Sequence, residues 1–176
     1  SSDVCSSDLA DYRAAYAPAE AVAHIRLIEN LTPERPLAVD FYPRAEEGKP
    51  CVGLRIWSHG RPIPLSDRVP VLENMGFRVV DERSYEVAVS GAAAWFHDMM
   101  LERADGSADG IERLKSALEA CFLVTMRGVA ENDGYNALVL AAGLAWRDVA
   151  LIRTISRFLR QVRVPYSDRK STRLNS

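Results

Sequence analysis

The sequence predicts an α+β fold, in which a four-stranded antiparallel sheet with helices precedes an all-helical segment. Two observations support this prediction. Residues 19–103 twice follow the same order, a run with helical spacing and then two runs in which apolar and polar residues alternate as they do in strands. After Asp105-Gly106 the apolar residues change to helical spacing and keep it up to Val162.

In the first unit, a helix is predicted over residues 19–31, because the apolar residues fall on one helical face and Pro18 precedes them. Residues 37–43 and 51–58 alternate apolar and polar side chains and are predicted strands. The polar segment AEEGKP between them indicates the turn of a hairpin.

In the second unit, residues 59–64 are predicted to form an irregular loop, because two prolines fix φ and lack a backbone donor. Ser66 or Asp67 then caps a short helix. Asp67 is favoured because it leaves Pro70 in the first turn, where a missing N–H costs nothing. Gly76 is a natural left-handed end for this helix.

Strands follow over residues 77–89 and 92–103, joined by the turn SGA, with Phe77, Val79 and Asp81 expected on one face. Two such α-β-β units packed together would form a four-stranded antiparallel sheet with both helices on one face. This is the ferredoxin-like arrangement with its first strand moved to the end, a permuted αββαββ order.

The helical segment is predicted to begin with Asp109 and Glu112 as a capping box. Its first helix ends before Gly128, and a short apolar helix follows over residues 135–142. A long helix is expected over residues 146–162.

This last helix carries an apolar stripe made of Val149, Ile152, Ile155, Leu159 and Val162. Leu151 and Phe158 widen the stripe beyond what a lone terminal helix needs. The pattern therefore favours neighbours that lie outside this sequence.

Both ends of the chain look foreign to the fold. Residues 1–9 are rich in serine, residues 168–176 lack apolar periodicity, and both resemble translated sequencing-adapter sequence. They are predicted to be non-native tails. The remaining sequence divides into an α+β module, residues 10–104, and a helical segment, residues 105–167.

Composition excludes several classes of function. The 176 residues are 48% hydrophobic and carry a net charge of −2, so a core can form but no field attracts nucleic acid or an anionic membrane. No apolar run approaches the roughly 18 residues of a spanning helix. Cys5, Cys51 and Cys121 show neither disulfide-framework nor zinc-site spacing, so we expect a reduced, cytoplasmic protein.

The sequence yields no catalytic, cofactor-binding or metal-binding residue. His24, His59 and His97 have no Cys, His, Asp or Glu at i+3 or i+4, and they are interpreted as structural. The pairs Glu46-Glu47 and Asp81-Glu82 are placed in a turn and at a strand end, facing water. Neither G-x-G-x-x-G, nor a P-loop, nor G-x-S-x-G occurs.

Four arginines, Arg153, Arg157, Arg160 and Arg163, form a basic stripe on the last helix. A nucleic-acid interface is one interpretation of such a stripe. A solvated or interdomain face is favoured, because the charge balance does not indicate a basic domain. The aromatic residues of the sheet lack an RNP1 pattern, so RNA binding is also disfavoured.

Two blocks carry a resemblance to a known family. The first is PIPLSDRVPVLENMGFRVVDERSYEV, followed by AAAWFHDMMLE, and the second is NALVLAAGLAWRDVALIRTISRFLRQVRVPYS. Together they resemble the large bacterial NAD-dependent (NAD-specific) glutamate dehydrogenase, a multi-domain enzyme with a long N-terminal extension. The resemblance covers nearly all of residues 19–167.

The resemblance implies that this chain is a fragment of that extension, in which ACT-like modules and helical motifs precede the catalytic domain. Residues 10–104 would be an ACT-like module and residues 105–167 a helical motif segment. The family converts L-glutamate, water and NAD⁺ to 2-oxoglutarate, ammonium and NADH. NAD is therefore expected in the parent enzyme. This sequence shows no match to the family's catalytic lysine and aspartate or to its dinucleotide fold. The fragment is expected to bind no NAD and to be inactive alone.

The family also implies partners. The rest of the dehydrogenase chain, further copies in a homo-oligomer and an amino-acid effector are expected, whereas nucleic acid and membrane are not. The loop over residues 60–67, which leads into a helix N-terminus, is the best candidate for an amino-acid or anion contact, with a packed connector as its alternative. A free-standing ACT-like module that binds amino acids or dimerises is the alternative to a dehydrogenase fragment.

Overall fold

A computed structural model describes residues 18–89 and 92–162 and confirms the α+β class. The helices and strands, in chain order, are α1 Pro18–Glu29, β1 Leu37–Glu46, β2 Lys49–His59, α2 Leu65–Asn74, β3 Phe77–Val89, β4 Ala92–Arg103, α3 Ile111–Met126, a 3₁₀ turn Gly134–Asn136, α4 Ala137–Ala142 and α5 Trp146–Gln161. The predicted tails, residues 1–9 and 168–176, and most of the SGA turn lie outside the described residues.

The four strands form one antiparallel sheet in the order β1-β2-β4-β3. Moving the first strand of a ferredoxin-like fold to its end gives this order, so the predicted permutation is confirmed. The hairpin between β1 and β2 turns on Glu47 and Gly48, which both have positive φ, at 49° and 77°. Such a two-residue turn matches the twist of the strands that it joins.

The main core lies on the sheet face that carries Val52, Leu54 and Ile56, here called the inner face. Helices α2, α3 and α4 cover this face, and apolar residues of all three join the same cluster as the strands. Val149 of α5 also belongs to it. The helical segment therefore shares its core with the sheet and is not a detached appendage.

The prediction that both early helices share one face is wrong. Helix α1 lies on the opposite face, the outer face, where Ile28 packs with Trp57 and Phe96. The central strands β2 and β4 are apolar on both faces at this end, so each face needs a cover. On the inner face, α3 packs beside α2 and lies along β1.

Helix α3 also covers the edge of the sheet at β1. The backbone N–H of Phe41 donates to Glu119 Oε1 at 3.2 Å, and the ammonium of Lys115 pairs with Asp40. Burial raises the pKa of Glu119 even though the Phe41 amide stabilises its ionised form. These contacts satisfy an edge donor that would otherwise be open to strand pairing.

Two predicted helix caps are wrong. Helix α2 begins at Leu65 after Pro64, so Asp67 lies in its first turn and Pro70 is inside the helix. Helix α3 begins after Gly110, which has φ 76°, and no side chain caps it, so Asp109 and Glu112 form no capping box. In both cases the preceding loop, not an aspartate, determines where the helix starts.

The predicted alternation in β3 is also wrong beyond Val79. A bulge shifts the register between Val79 and Asp81, so Glu82 rather than Asp81 faces inward. A bulge adds one residue and reverses the facing of every side chain after it. Because β3 continues to Val89, the Asp81-Glu82 pair does not end the strand.

Within residues 18–89 and 92–162, no helix combines the length and the apolar character that crossing a bilayer requires.

The outer face is polar beyond the part that α1 covers. The ring of Tyr42 lies over Gly53, the guanidinium of Arg55 sits 4.1 Å from the ring centroid, and the Tyr42 hydroxyl donates to Asp98 Oδ1 at 3.0 Å. Burial, with the Asp98 charge, raises the pKa of Tyr42 to about 12, so the hydroxyl stays a donor at neutral pH. The missing side chain of Gly53 makes room for this arrangement.

We expect Gly53→Ala to destabilise the fold by about 1–3 kcal/mol, because a side chain there displaces a packed ring. An added Cβ would lie 2.1 Å from Tyr42 Cζ, and the ring would have to leave Arg55 and Asp98. Urea unfolding measures the change. Gly134→Ala is the matched control, since nothing lies within 4 Å of its added Cβ; equal costs at both positions would contradict the close approach.

Candidate functional site

A cleft lies at the loop that the sequence singled out and is here called the prolyl cleft. It has a volume of about 660 Å³, within the range of about 300–1,000 Å³ typical of ligand pockets. It is lined by Pro33, Glu34, Pro36 and Leu37 around the start of β1, by the loop after β2, by the start of α2 and by the end of α3. The predicted loop, residues 60–67, thus forms one wall.

Backbone and side-chain hydrogen bonds hold this wall in place. The N–H of Gly60, a residue with φ 75°, donates to Ala93 O at 2.8 Å. The Ser58 hydroxyl donates to Arg61 O at 2.6 Å, and the N–H of Ile63 donates to His97 Nε2 at 3.3 Å. A loop with two prolines therefore has a defined shape without regular structure.

The lining of the cleft combines apolar surface with an equal share of polar surface, including charges of both signs. Four prolines, Pro33, Pro36, Pro62 and Pro64, supply rigid apolar surface. Arg61 and Arg127 contribute positive charge, and Glu34 and Asp67 contribute negative charge. Such a lining suits a small zwitterion that carries both an ammonium and a carboxylate group.

Beneath the loop lies a partly buried polar network that sequence reasoning missed. Arg68 of α2 is 2% exposed, and its Nη2 donates to Glu82 Oε1 at 2.6 Å. The Ser84 hydroxyl also donates to Glu82, at 2.6 Å, and lies 2.6 Å from Nδ1 of the buried His97. A charged residue at helical position 68 and the bulge in β3 together create this network.

The network fixes the charge states of its members. Burial, together with the Arg68 charge, lowers the pKa of His97 to about 4, against the opposing effect of Glu82. Burial opposes the ionised form of Glu82, but hydrogen bonds from Ser84 and Arg68 outweigh it and hold the pKa of Glu82 below its usual value. At neutral pH the network therefore contains a neutral imidazole beside an Arg–Glu ion pair.

This network is not a catalytic triad. His97 Nε2 accepts the Ile63 N–H, so Nδ1 carries the proton and donates towards Ser84. Serine and carboxylate both lie on the Nδ1 side, whereas a general base needs its free nitrogen beside the nucleophile. The arrangement instead ties α2, β3 and β4 to the prolyl loop.

The histidines lie in three separate places. His24 packs against the rings of Trp57 and Phe96, at centroid distances of 5.0 and 5.7 Å. His59 lines the prolyl cleft, and His97 is buried on the inner face, while the neighbouring Asp98 points to the outer face. Among the described residues, no three His, Cys, Asp or Glu side chains form a group that could hold a metal ion.

The basic stripe of α5 is mostly used within the fold. Arg153 is 4% exposed and donates to Asp133 at 2.7 and 2.9 Å and to Asn136 at 2.9 Å. Arg157 pairs with Glu131 on the surface, and Arg163 lies outside the described residues. Acidic residues of the same fold therefore neutralise Arg153 and Arg157.

Two family models match the chain. One describes the ACT3 domain of glutamate dehydrogenase and matches residues 36–114; the other describes helical motif 3 of glutamate dehydrogenase and matches residues 130–173. The first covers all four strands with α2 and the start of α3, and the second covers α4 and α5. The chain thus resembles two adjacent parts of that enzyme.

Three curated relatives carry the name NAD-specific glutamate dehydrogenase. The protein of Halomonas elongata is 38% identical over 154 residues, 88% of this chain. Those of Pseudomonas aeruginosa and Mycobacterium tuberculosis are 37% identical over 158 residues and 33% identical over 162 residues, each 89% of this chain. The chain spans only 10% of the length of each relative.

We expect the free energy of unfolding to fall by about 2–3 kcal/mol as the pH is lowered from 6.5 towards 4.5. In this window the unfolded chain protonates its histidine, whereas folded His97, with a pKa of about 4, stays neutral. The stability that neutral His97 contributes is thus fully present above pH 6.5 and is lost as the pH falls. Urea unfolding across the window measures the slope.

His97→Gln offers an uncharged acceptor to the Ile63 N–H and should flatten that slope. The stabilisation that Glu82 contributes is lost only below pH 4.5, the pKa of this carboxyl in the unfolded chain. The range from pH 6.5 to 4.5 therefore reports on His97 and not on Glu82. A variant that keeps the wild-type slope would show that another group causes the pH dependence.

We expect Asp133→Ala to cost about 3 kcal/mol or more, because it leaves the charge of buried Arg153 without its carboxylate. Glu131→Ala is the control, since Glu131 and Arg157 are both more than half exposed and surface pairs contribute about 0–1 kcal/mol. Chemical unfolding of both variants gives the comparison. Equal losses would mean that the Arg153 pair does not anchor α5.

Proposed function

The chain belongs to the glutamate dehydrogenase family as its ACT3 domain and helical motif 3, and we propose that it is a regulatory and assembly segment of a larger NAD-specific enzyme. The parent oxidises L-glutamate with NAD⁺ and water to 2-oxoglutarate, ammonium and NADH. The main support is that relatives of this name match nearly nine-tenths of the chain over only a tenth of their own length.

Catalysis is assigned to the rest of the parent. Hydride transfer to NAD⁺ requires a dinucleotide site, and the sequence contains no G-x-G-x-x-G. Near the cleft, Arg68 and Ser84 both donate to Glu82, and His97 Nε2 already accepts the Ile63 N–H. The segment then contributes shape and binding surfaces rather than reacting groups.

The regulatory role is proposed for the prolyl cleft, with an amino acid as effector. Its carboxylate would pair with Arg61, the arginine of the prolyl loop, and its ammonium with Glu34 or Asp67, since these charges line one cavity. The proline walls change little on binding, which limits the entropy cost of ordering them.

A cytoplasmic location is proposed for the parent. The free, buried thiols of Cys51 and Cys121 support a reducing compartment. Burial raises the pKa of Cys121, which keeps that thiol protonated and unreactive.

We expect the intact parent to reduce NAD⁺ with L-glutamate and to bind an amino acid outside its catalytic pocket. Isothermal titration with the common amino acids, with 2-oxoglutarate and NADH filling the catalytic pocket, measures this binding. Arg61→Ala removes a charge-assisted hydrogen bond worth about 1.5–3 kcal/mol, so the effector should bind roughly 10- to 100-fold more weakly.

Arg83→Ala is the matched control, because Arg83 is an exposed arginine outside the cleft. Unchanged binding in Arg61→Ala would contradict the proposed effector site in the cleft. If no amino acid binds outside the catalytic pocket, the proposed regulatory role is wrong. A gene that encodes no dehydrogenase domain beside this segment would favour a free-standing ACT-like module instead.

A further inference from the structure

Helix α5 exposes its apolar side and buries its polar contacts. Leu151, Ile155, Phe158 and Val162 are 59%, 48%, 60% and 49% exposed, and they are here called the α5 stripe. At about 100° per residue these four side chains fall within an arc of about 60°. Large apolar side chains gathered in this way mark a binding surface.

The side of α5 that faces the domain lies opposite the α5 stripe. Val149 and Arg153 are both buried and lie about 170° around the helix from the α5 stripe. Arg153 is held by two bonds to Asp133, and Ser156 lies 2.6 Å from the Tyr135 hydroxyl. Specific polar bonds therefore fix the rotation of α5 and keep the stripe outward.

The spacing of the α5 stripe indicates what it binds. Its members recur at i, i+4, i+7 and i+11, the seam with which one helix packs along another. Ile152, beside the stripe, is also 37% exposed. A second helix with an apolar seam fits this surface better than an extended peptide or a small ligand.

The length of the relatives indicates where that helix comes from. They extend about tenfold beyond this chain, and the helical-motif match runs through α5 to residue 173. A helix on the same polypeptide is tethered, and tethering raises its effective concentration to about the millimolar range without any added contact. A second copy has no such advantage.

We propose that the α5 stripe docks a helix from another part of the same parent polypeptide. This inference rests on the proposed function, since it needs the larger enzyme. Docking buries four large apolar side chains that are otherwise exposed, which is the driving force for the contact. It would link the ACT3 domain rigidly to its neighbour through α5.

The test places a photo-cross-linking residue in the intact parent, as Phe158→p-benzoylphenylalanine. We expect a cross-link to a peptide of the same polypeptide outside residues 18–162, in a monomer-sized product whose yield is independent of protein concentration. Val129→p-benzoylphenylalanine is the control, because Val129 is 65% exposed but lies outside the stripe.

Hydroxyl-radical footprinting of the unmodified parent gives a second measurement without a substitution. We expect Phe158 to be oxidised at least about fivefold more slowly than in the urea-unfolded parent, as a buried side chain is. A dimer-sized product that joins two Phe158 positions would overturn the proposal in favour of a second copy. Cross-linking no higher than at Val129, with unprotected Phe158, would overturn docking altogether.

Activity of the same preparation separates the two proposals. If the parent oxidises glutamate but Phe158 is neither cross-linked nor protected, only the docking inference fails. If the parent has no NAD-dependent glutamate oxidation, the proposed function fails whatever the cross-link shows.

Discussion

The rest of the structure depends on the burial of the two central strands from both sides. Strand β2 places Leu54 and Ile56 on the inner face and Trp57 on the outer face, all fully buried. Parallel sheets are commonly covered on both faces, but an antiparallel sheet usually leaves one face to water. Here a helix is needed on each face, which explains why α1 and α2 are on opposite faces.

Two buried polar side chains of the inner face, Arg68 and His97, meet partners from other elements. Arg68 is buried because the bulge in β3 turns Glu82 towards it, and His97 is buried neutral because the loop amide of Ile63 occupies its Nε2. Removing a single partner would leave an uncompensated polar group, which is why such networks hold loops in one conformation. The shape of the prolyl cleft thus depends on residues that do not line it.

Much of the fold could be predicted from the sequence because local signals and burial agree. The strands 77–89 and 92–103 and the left-handed Gly76 follow from alternation and turn chemistry, and the structure has them as predicted. The inward turn of Glu82 could not be predicted, because a bulge depends on pairing with β4 and leaves no mark in β3 alone. The cleft charges Glu34 and Arg127 are far apart in sequence, and only packing of α3 beside the loop brings them together.

The last helix shows the limit of sequence reasoning most clearly. Its arginines suggested a basic surface and its apolar residues a stripe, but the pattern alone could not say which side faces the domain. The structure assigns Arg153 inward, although a buried arginine costs more free energy to desolvate than a leucine. That cost is offset by Asp133 and Asn136, and its consequence is an apolar stripe that faces outward. The proposed docking of a helix would cover this exposed stripe, so the inward bonds of Arg153 and the proposed outward contact depend on one orientation of the helix.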